Sequence, residues 1–80
     1  MLYHEATFLE DLRSRAHETQ HSTAKEAGRM ARMAGVKTLL IGHYSARYKE
    51  LYPLLEEAQS EFENTLLALE GKMYDLKEHL

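Results

Sequence analysis

Eighty residues with 44% apolar and 29% charged side chains make one small core, excluding a multi-domain chain or wholesale disorder. Ten basic against thirteen acidic residues give a net charge of −3, which argues against a nucleic-acid binder relying on its own positive surface. Without a cysteine there is no disulfide framework or thiolate metal site, no apolar run nears the roughly 20 residues that cross a bilayer, and the amino end lacks a signal-peptide pattern. These features fit the cytoplasm.

Met1 to Phe8 opens on apolar and aromatic residues, as a chain entered partway through a buried strand would read. Leu9, Leu12 and Ala16 recur at helical spacing and predict one or two turns. Thr23 and Glu26 form a capping box that starts a helix running to about Ala34, with Gly35 placed for a left-handed cap. In that helix Lys25, Arg29 and Arg32 read as a solvated side, and Met30, Met33 and Ala34 as core packing. Val36 to Ile41 is a nearly continuous apolar run, the pattern of a strand buried on both faces. Strand, helix and strand then make a βαβ unit with parallel strands and a right-handed crossover.

Pro53 suits a first helical position, and Leu54, Leu55, Ala58 and Phe62 form the next apolar stripe. Glu56, Glu57, Glu61 and Glu63 make that helix acidic and poorly suited to meet RNA. Asn64-Thr65 ends the helix. Leu66 to Leu69 and Lys72 to Leu76 then read as two strands about a Glu70-Gly71 turn. So few elements cannot cover both faces and both edges of a parallel sheet, so more chain or a second copy is expected to complete it.

Three clusters can carry chemistry. In His4-Glu5-Ala6-Thr7, at the first strand's end, a carboxylate can orient a nearby imidazole. His21-Ser22-Thr23 precedes a helix whose unpaired N–H groups and dipole suit a phosphate, although an ordinary cap has the same residues. His43, at the end of the second strand, can bind zinc, and Arg47 can pair with a phosphate. The carboxyl ends of strands are where sites collect in open α/β sheets.

Taken together, His4-Glu5-Ala6-Thr7-Phe8, His21-Ser22-Thr23, His43 to Tyr48 and Phe62-Glu63-Asn64-Thr65 resemble motifs of the ribonuclease Z family. The resemblance implies an α/β fold, the C-terminal βαβ-α-β(β) portion of a metallo-β-lactamase-type αββα sandwich, with residues 1–80 one partial domain. It implies two zinc ions in the complete site, precursor tRNA as substrate, and removal of its 3′ trailer. His43 would be a zinc ligand, Glu5 and His21 a proton-transfer pair, and Arg47, Ser22 and Thr23 phosphate contacts. The family's His-x-His-x-Asp-His run is absent from these residues, and Gly42 stands where threonine is common. A catalytic zinc needs about three protein ligands, so the 80-residue chain alone is expected to be inactive. The missing amino-terminal part of the same protein, and a second copy in a homodimer, are the expected partners.

Two other readings stand beside it. One is a truncated, non-catalytic α/β interaction module. The other takes His17-Glu18-Thr19-Gln20-His21 as the H-E-x-x-H motif of a zinc metalloprotease. That motif needs both histidines in one continuous helix, whereas the capping box starts a new helix just after His21.

Overall fold

The computed structural model describes residues 1–69 and 72–74. In chain order the elements are β1 (Leu2–Glu5), a 3₁₀ turn (Glu10–Leu12) entering α1 (Arg13–Glu18), α2 (Ala24–Ala34), β2 (Leu39–Gly42), α3 (Tyr52–Glu61), β3 (Thr65–Leu69) and β4 (Lys72–Tyr74). The sheet order is β1-β2-β3-β4. The first three strands run parallel, with Tyr3 opposite Leu40 and Leu40 opposite Leu66; β4 is antiparallel to β3. The expected βαβ unit is therefore present. The proposed turn at Glu70-Gly71 and the end of the last strand at Leu76 lie outside the described residues.

Side chains that alternate along β2 and β3 put Leu39, Ile41 and Leu67 on one face. That face packs on α2 and α3 through Ala24, Ala27, Ala31, Leu54, Leu55 and Ala58, all fully buried. The opposite face carries Tyr3, Leu40 and Leu66, which are exposed or half-buried. The second strand is thus shorter than the Val36–Ile41 run and fully covered on one face only. Both helices lie on the same side, so the chain builds two layers.

Helix α2 begins as expected. Thr23 Oγ1 accepts the Glu26 N–H at 3.1 Å, and Glu26 Oε1 accepts the Thr23 N–H at 2.9 Å. Gly35 closes the helix at φ 69°, a left-handed conformation that glycine adopts without a Cβ clash. The buried face, however, is not the methionine side. Met30 is 48% and Met33 80% exposed, and Ala34 is exposed, while Ala24, Ala27, Gly28 and Ala31 face inward. The cause is close helix packing: a Cβ on Gly28 would lie 2.5 Å from the Ala58 carbonyl oxygen and 2.9 Å from Glu61 Cβ. Only small residues fit that seam.

Arg29 and Arg32 reach across the seam to Glu61, at 3.7 and 3.0 Å, so this is a cross-helix ion-pair side rather than a simply solvated one. Glu57 also turns inward, accepting the backbone N–H groups of Glu10 and Lys25 at 3.0 Å. Burial pushes its carboxyl above the ordinary range despite those bonds, with the nearby Glu10 and Asp11 charges adding to the rise. Pro53 is the second residue of α3, not the first. Among the described residues no helix is long and apolar enough to cross a membrane.

Candidate functional site

The ends of β1 and β2 lie side by side, with Glu5 opposite Gly42, so the loops leaving them start from one edge. Helix α1 stops at Glu18, and Gln20 takes φ 60°. His21 is then held by its N–H to the Ala16 carbonyl at 2.7 Å. His43 follows β2 at φ 58°. Gln20 and His43 are the two non-glycine residues with positive φ among the described residues, and both flank the same depression. Such conformations cost energy and persist where surrounding contacts over-determine them.

Tyr3, Glu5, Gln20, His21 and His43 line this open depression. Glu5 Oε2 accepts His21 Nδ1–H at 3.0 Å and lies 3.9 Å from His43 Nδ1. The two imidazoles stack, with centroids 5.2 Å apart and planes at 29°. Burial alone would raise the Glu5 carboxyl. Hydrogen bonds from Thr7, His21 and the Ser22 backbone, with the His21 charge, outweigh it and hold the group below the ordinary carboxylate range. Glu5, His21 and His43 each offer a ligand atom within 4.8 Å of the others. Imidazole and carboxylate suit zinc, yet Glu5 Oε2 is already engaged by His21 and Thr7. The donor set therefore fits one corner of a zinc site, through His43.

The sequence-selected residues divide. Glu5, His21 and His43 come together. His4 does not join them; its Nδ1 bonds the Glu5 carbonyl at 2.8 Å. Arg47 is exposed, and its guanidinium stands 5.6 Å from the Phe8 ring centre, with Phe8 edge-on to His21 at 6.3 Å. Arg47 does not line the depression; its link to the site is Phe8, which lies against His21. Ser22 shapes the site with its backbone, whose carbonyl takes the Thr7 N–H at 3.0 Å.

The phosphate cradle expected at the start of α2 is filled from within. Thr23 is fully buried, its hydroxyl donating to Glu10 at 2.7 Å. The Ala24, Lys25 and Glu26 N–H groups go to Phe8, Glu57 and Thr23 respectively. Thr23 thus serves as a cap, its hydroxyl proton already given to Glu10 and so not offered to an anion. The H-E-x-x-H reading also loses its geometry. His17 is in α1 and bonds Glu26 at 2.6 Å, whereas His21 lies beyond the helix end and bonds Glu5.

Thr7 has a larger place than the sequence suggested. It is 5% exposed, its hydroxyl meets Glu5 and His43, and its carbonyl takes the Ser45 N–H at 3.0 Å. The one available signal was a hydroxyl two residues past a candidate carboxylate. Tyr3 was also missed. Its ring lies over Gly42, where a Cβ would collide with the phenol oxygen, so the glycine makes room for it. Beyond His43, the Tyr44 hydroxyl lies against Ile41 O at 2.8 Å and accepts the Ala68 N–H at 3.1 Å. Burial pushes its pKa up to about 12, so it stays a neutral tie between β2 and β3.

The chain builds a parallel βαβ unit that gathers a carboxylate and two histidines beside the ends of its first two strands, an α/β arrangement in keeping with the metallo-β-lactamase fold of the relatives it matches. No family model matches the chain. It is 63% identical over 76 residues to a ribonuclease Z of Porphyromonas gingivalis, covering 95% of this chain and 25% of that protein. It is 57% identical over 70 residues to one from Phocaeicola vulgatus, 88% of this chain and 23% of that protein. A ribonuclease Z of Cytophaga hutchinsonii matches all of this chain at 44% identity, over 26% of its own length. The chain is similar to the carboxyl-terminal part of these ribonuclease Z proteins and spans about a quarter of their length.

Proposed function

We propose that this chain is part of a zinc-dependent endoribonuclease that removes the 3′ trailer from precursor tRNA. The observation that carries the reading is the Glu5–His21 bond of 3.0 Å set beside a stacked His43, on residues matching ribonuclease Z. His43 holds zinc, together with ligands from the rest of the protein. Zinc, when bound, supplies Lewis-acid stabilisation and an activated water for attack on a phosphodiester.

The remaining work falls to side chains of this chain. Glu5 fixes the His21 ring by accepting from Nδ1, leaving Nε2 to give a proton to the departing oxygen. Arg47 and the Ser22 hydroxyl meet the substrate's phosphates from the rim. Positive charge for gripping tRNA comes from elsewhere, because this chain is acidic. The 80-residue chain is inactive alone. A homodimer working in the cytoplasm belongs to the same proposal.

The test is incubation of the full-length protein with a precursor tRNA bearing a 3′ trailer. One endonucleolytic cut releasing the trailer, abolished by chelator and restored by zinc, is expected. An intact trailer after treatment with zinc-loaded protein contradicts the proposal.

A further inference from the structure

The Thr7 hydroxyl takes no part in the chemistry above, yet it touches three groups of the site. They are the Glu5 carboxylate, His43 Nδ1 at 3.1 Å and the His43 carbonyl at 2.9 Å. A hydroxyl has one proton and two lone pairs. It can donate once, and an ionised carboxylate is a stronger acceptor than a backbone carbonyl. With its proton on Glu5, Thr7 turns a lone pair to His43 Nδ1. The ring can then make a bond at 3.1 Å only by donating Nδ1–H. A neutral imidazole protonated at Nδ1 has its lone pair on Nε2, the atom across the ring. That side chain is 62% exposed, and Nε2 has no hydrogen-bond partner among the described residues.

We infer that Thr7 is a positioning residue that relays the Glu5 carboxylate to His43, fixing the Nδ1–H tautomer so that Nε2 faces the metal. The inference rests on the reading of His43 as a zinc ligand. It gives the stacked histidines different duties from one carboxylate: His21 takes Glu5 directly and His43 takes it through a neutral hydroxyl. Metal-bound histidines commonly owe their orientation to such a partner on the other nitrogen, and losing it costs about 10–100-fold in metal affinity. The bland alternative is that Thr7 only staples the loops, which its N–H to Ser22 and its carbonyl to Ser45 already do. The side-chain oxygen distinguishes the two, because Thr7→Val keeps shape and backbone bonds but loses the relay.

The experiment uses the full-length protein as wild type, Thr7→Val, Thr7→Ser and His43→Ala. Zinc affinity is measured by competition with a chromophoric chelator, and the His43 tautomer by nitrogen NMR of metal-free, histidine-labelled protein. Thr7→Val is expected to weaken zinc binding about 10–100-fold, and Thr7→Ser by less than about threefold. Wild type should show His43 protonated at Nδ1. Wild-type affinity in Thr7→Val while His43→Ala loses zinc overturns the relay and leaves the ligand reading intact. Full zinc retention in His43→Ala overturns the ligand reading itself. Should Thr7→Val fail to fold, the wild-type spectrum decides: a proton on Nε2 instead of Nδ1 overturns the inference.

Discussion

Gly28→Ala sets two physical effects against each other. Alanine is the better helix former by about 1 kcal/mol, so propensity alone expects a more stable protein. The added methyl would lie 2.5 Å from the Ala58 carbonyl oxygen and 2.9 Å from Glu61 Cβ. Against an ordinary separation of about 3.5 Å it lacks roughly 1 Å, and the obstacle is helix backbone that cannot swing aside. Overpacking of this kind costs about 1–3 kcal/mol. The packing term wins, for a net loss of about 1 kcal/mol, and α2 shifts away from α3. In a full-length protein that is a fall of about 2–4 °C in melting temperature, read by calorimetry. The control is Met33→Ala, on the same helix but 80% exposed, expected within about 0.5 kcal/mol of wild type. A Gly28→Ala protein melting at or above wild type refutes the seam described between α2 and α3.

Further consequences concern charge, caps and the rival motif. Glu5 has a folded pKa below its unfolded value, so its stabilising effect is full above the ordinary carboxylate range and is lost as pH falls through the depressed value. The melting-temperature gap between wild type and Glu5→Gln should therefore hold from pH 7 down to the ordinary carboxylate range and shrink below it; a gap that stays constant as the pH falls further contradicts the assigned ionised state. Thr23→Ala removes both a cap bond and the bond to Glu10, and should cost about 1–2 kcal/mol in denaturant unfolding. A loss near zero would mean the cap is not formed in solution. Glu61→Gln breaks two ion pairs whose arginines are 44% and 60% exposed, so the cost should stay below about 1 kcal/mol and fade in high salt. His17→Ala should leave zinc content unchanged, since His17 bonds Glu26 away from the depression; loss of zinc would return the H-E-x-x-H reading to contention.

Local signals in the sequence were the ones read correctly. The Thr23–Glu26 box and Gly35 define α2 through contacts within a few residues, and those contacts are present. The parallel pairing of β1 and β2 followed from strand, helix and strand in that order. Glu5, His21 and His43 were each selected at a strand or helix boundary, and the fold brings them to one depression. What depended on a distant partner was not legible. The methionines of α2 read as core because large apolar residues usually are, but Gly28 faces a neighbouring backbone that no periodicity reveals. Arg29 and Arg32 read as solvated because Glu61 is some thirty residues away in sequence. Thr23 read as a phosphate contact because the occupants of its helix end, Phe8, Glu10 and Glu57, come from other elements. Thr7 gained its importance only when His43 arrived from the next strand.

The central claim is a division of labour in which His43 holds metal and His21, oriented by Glu5, handles a proton. Zinc content and precursor-tRNA cleavage measured side by side in full-length His43→Ala and His21→Ala test it most directly. The account predicts that His43→Ala loses zinc and activity together, while His21→Ala loses activity with zinc largely retained. Equal zinc loss in both variants would contradict it.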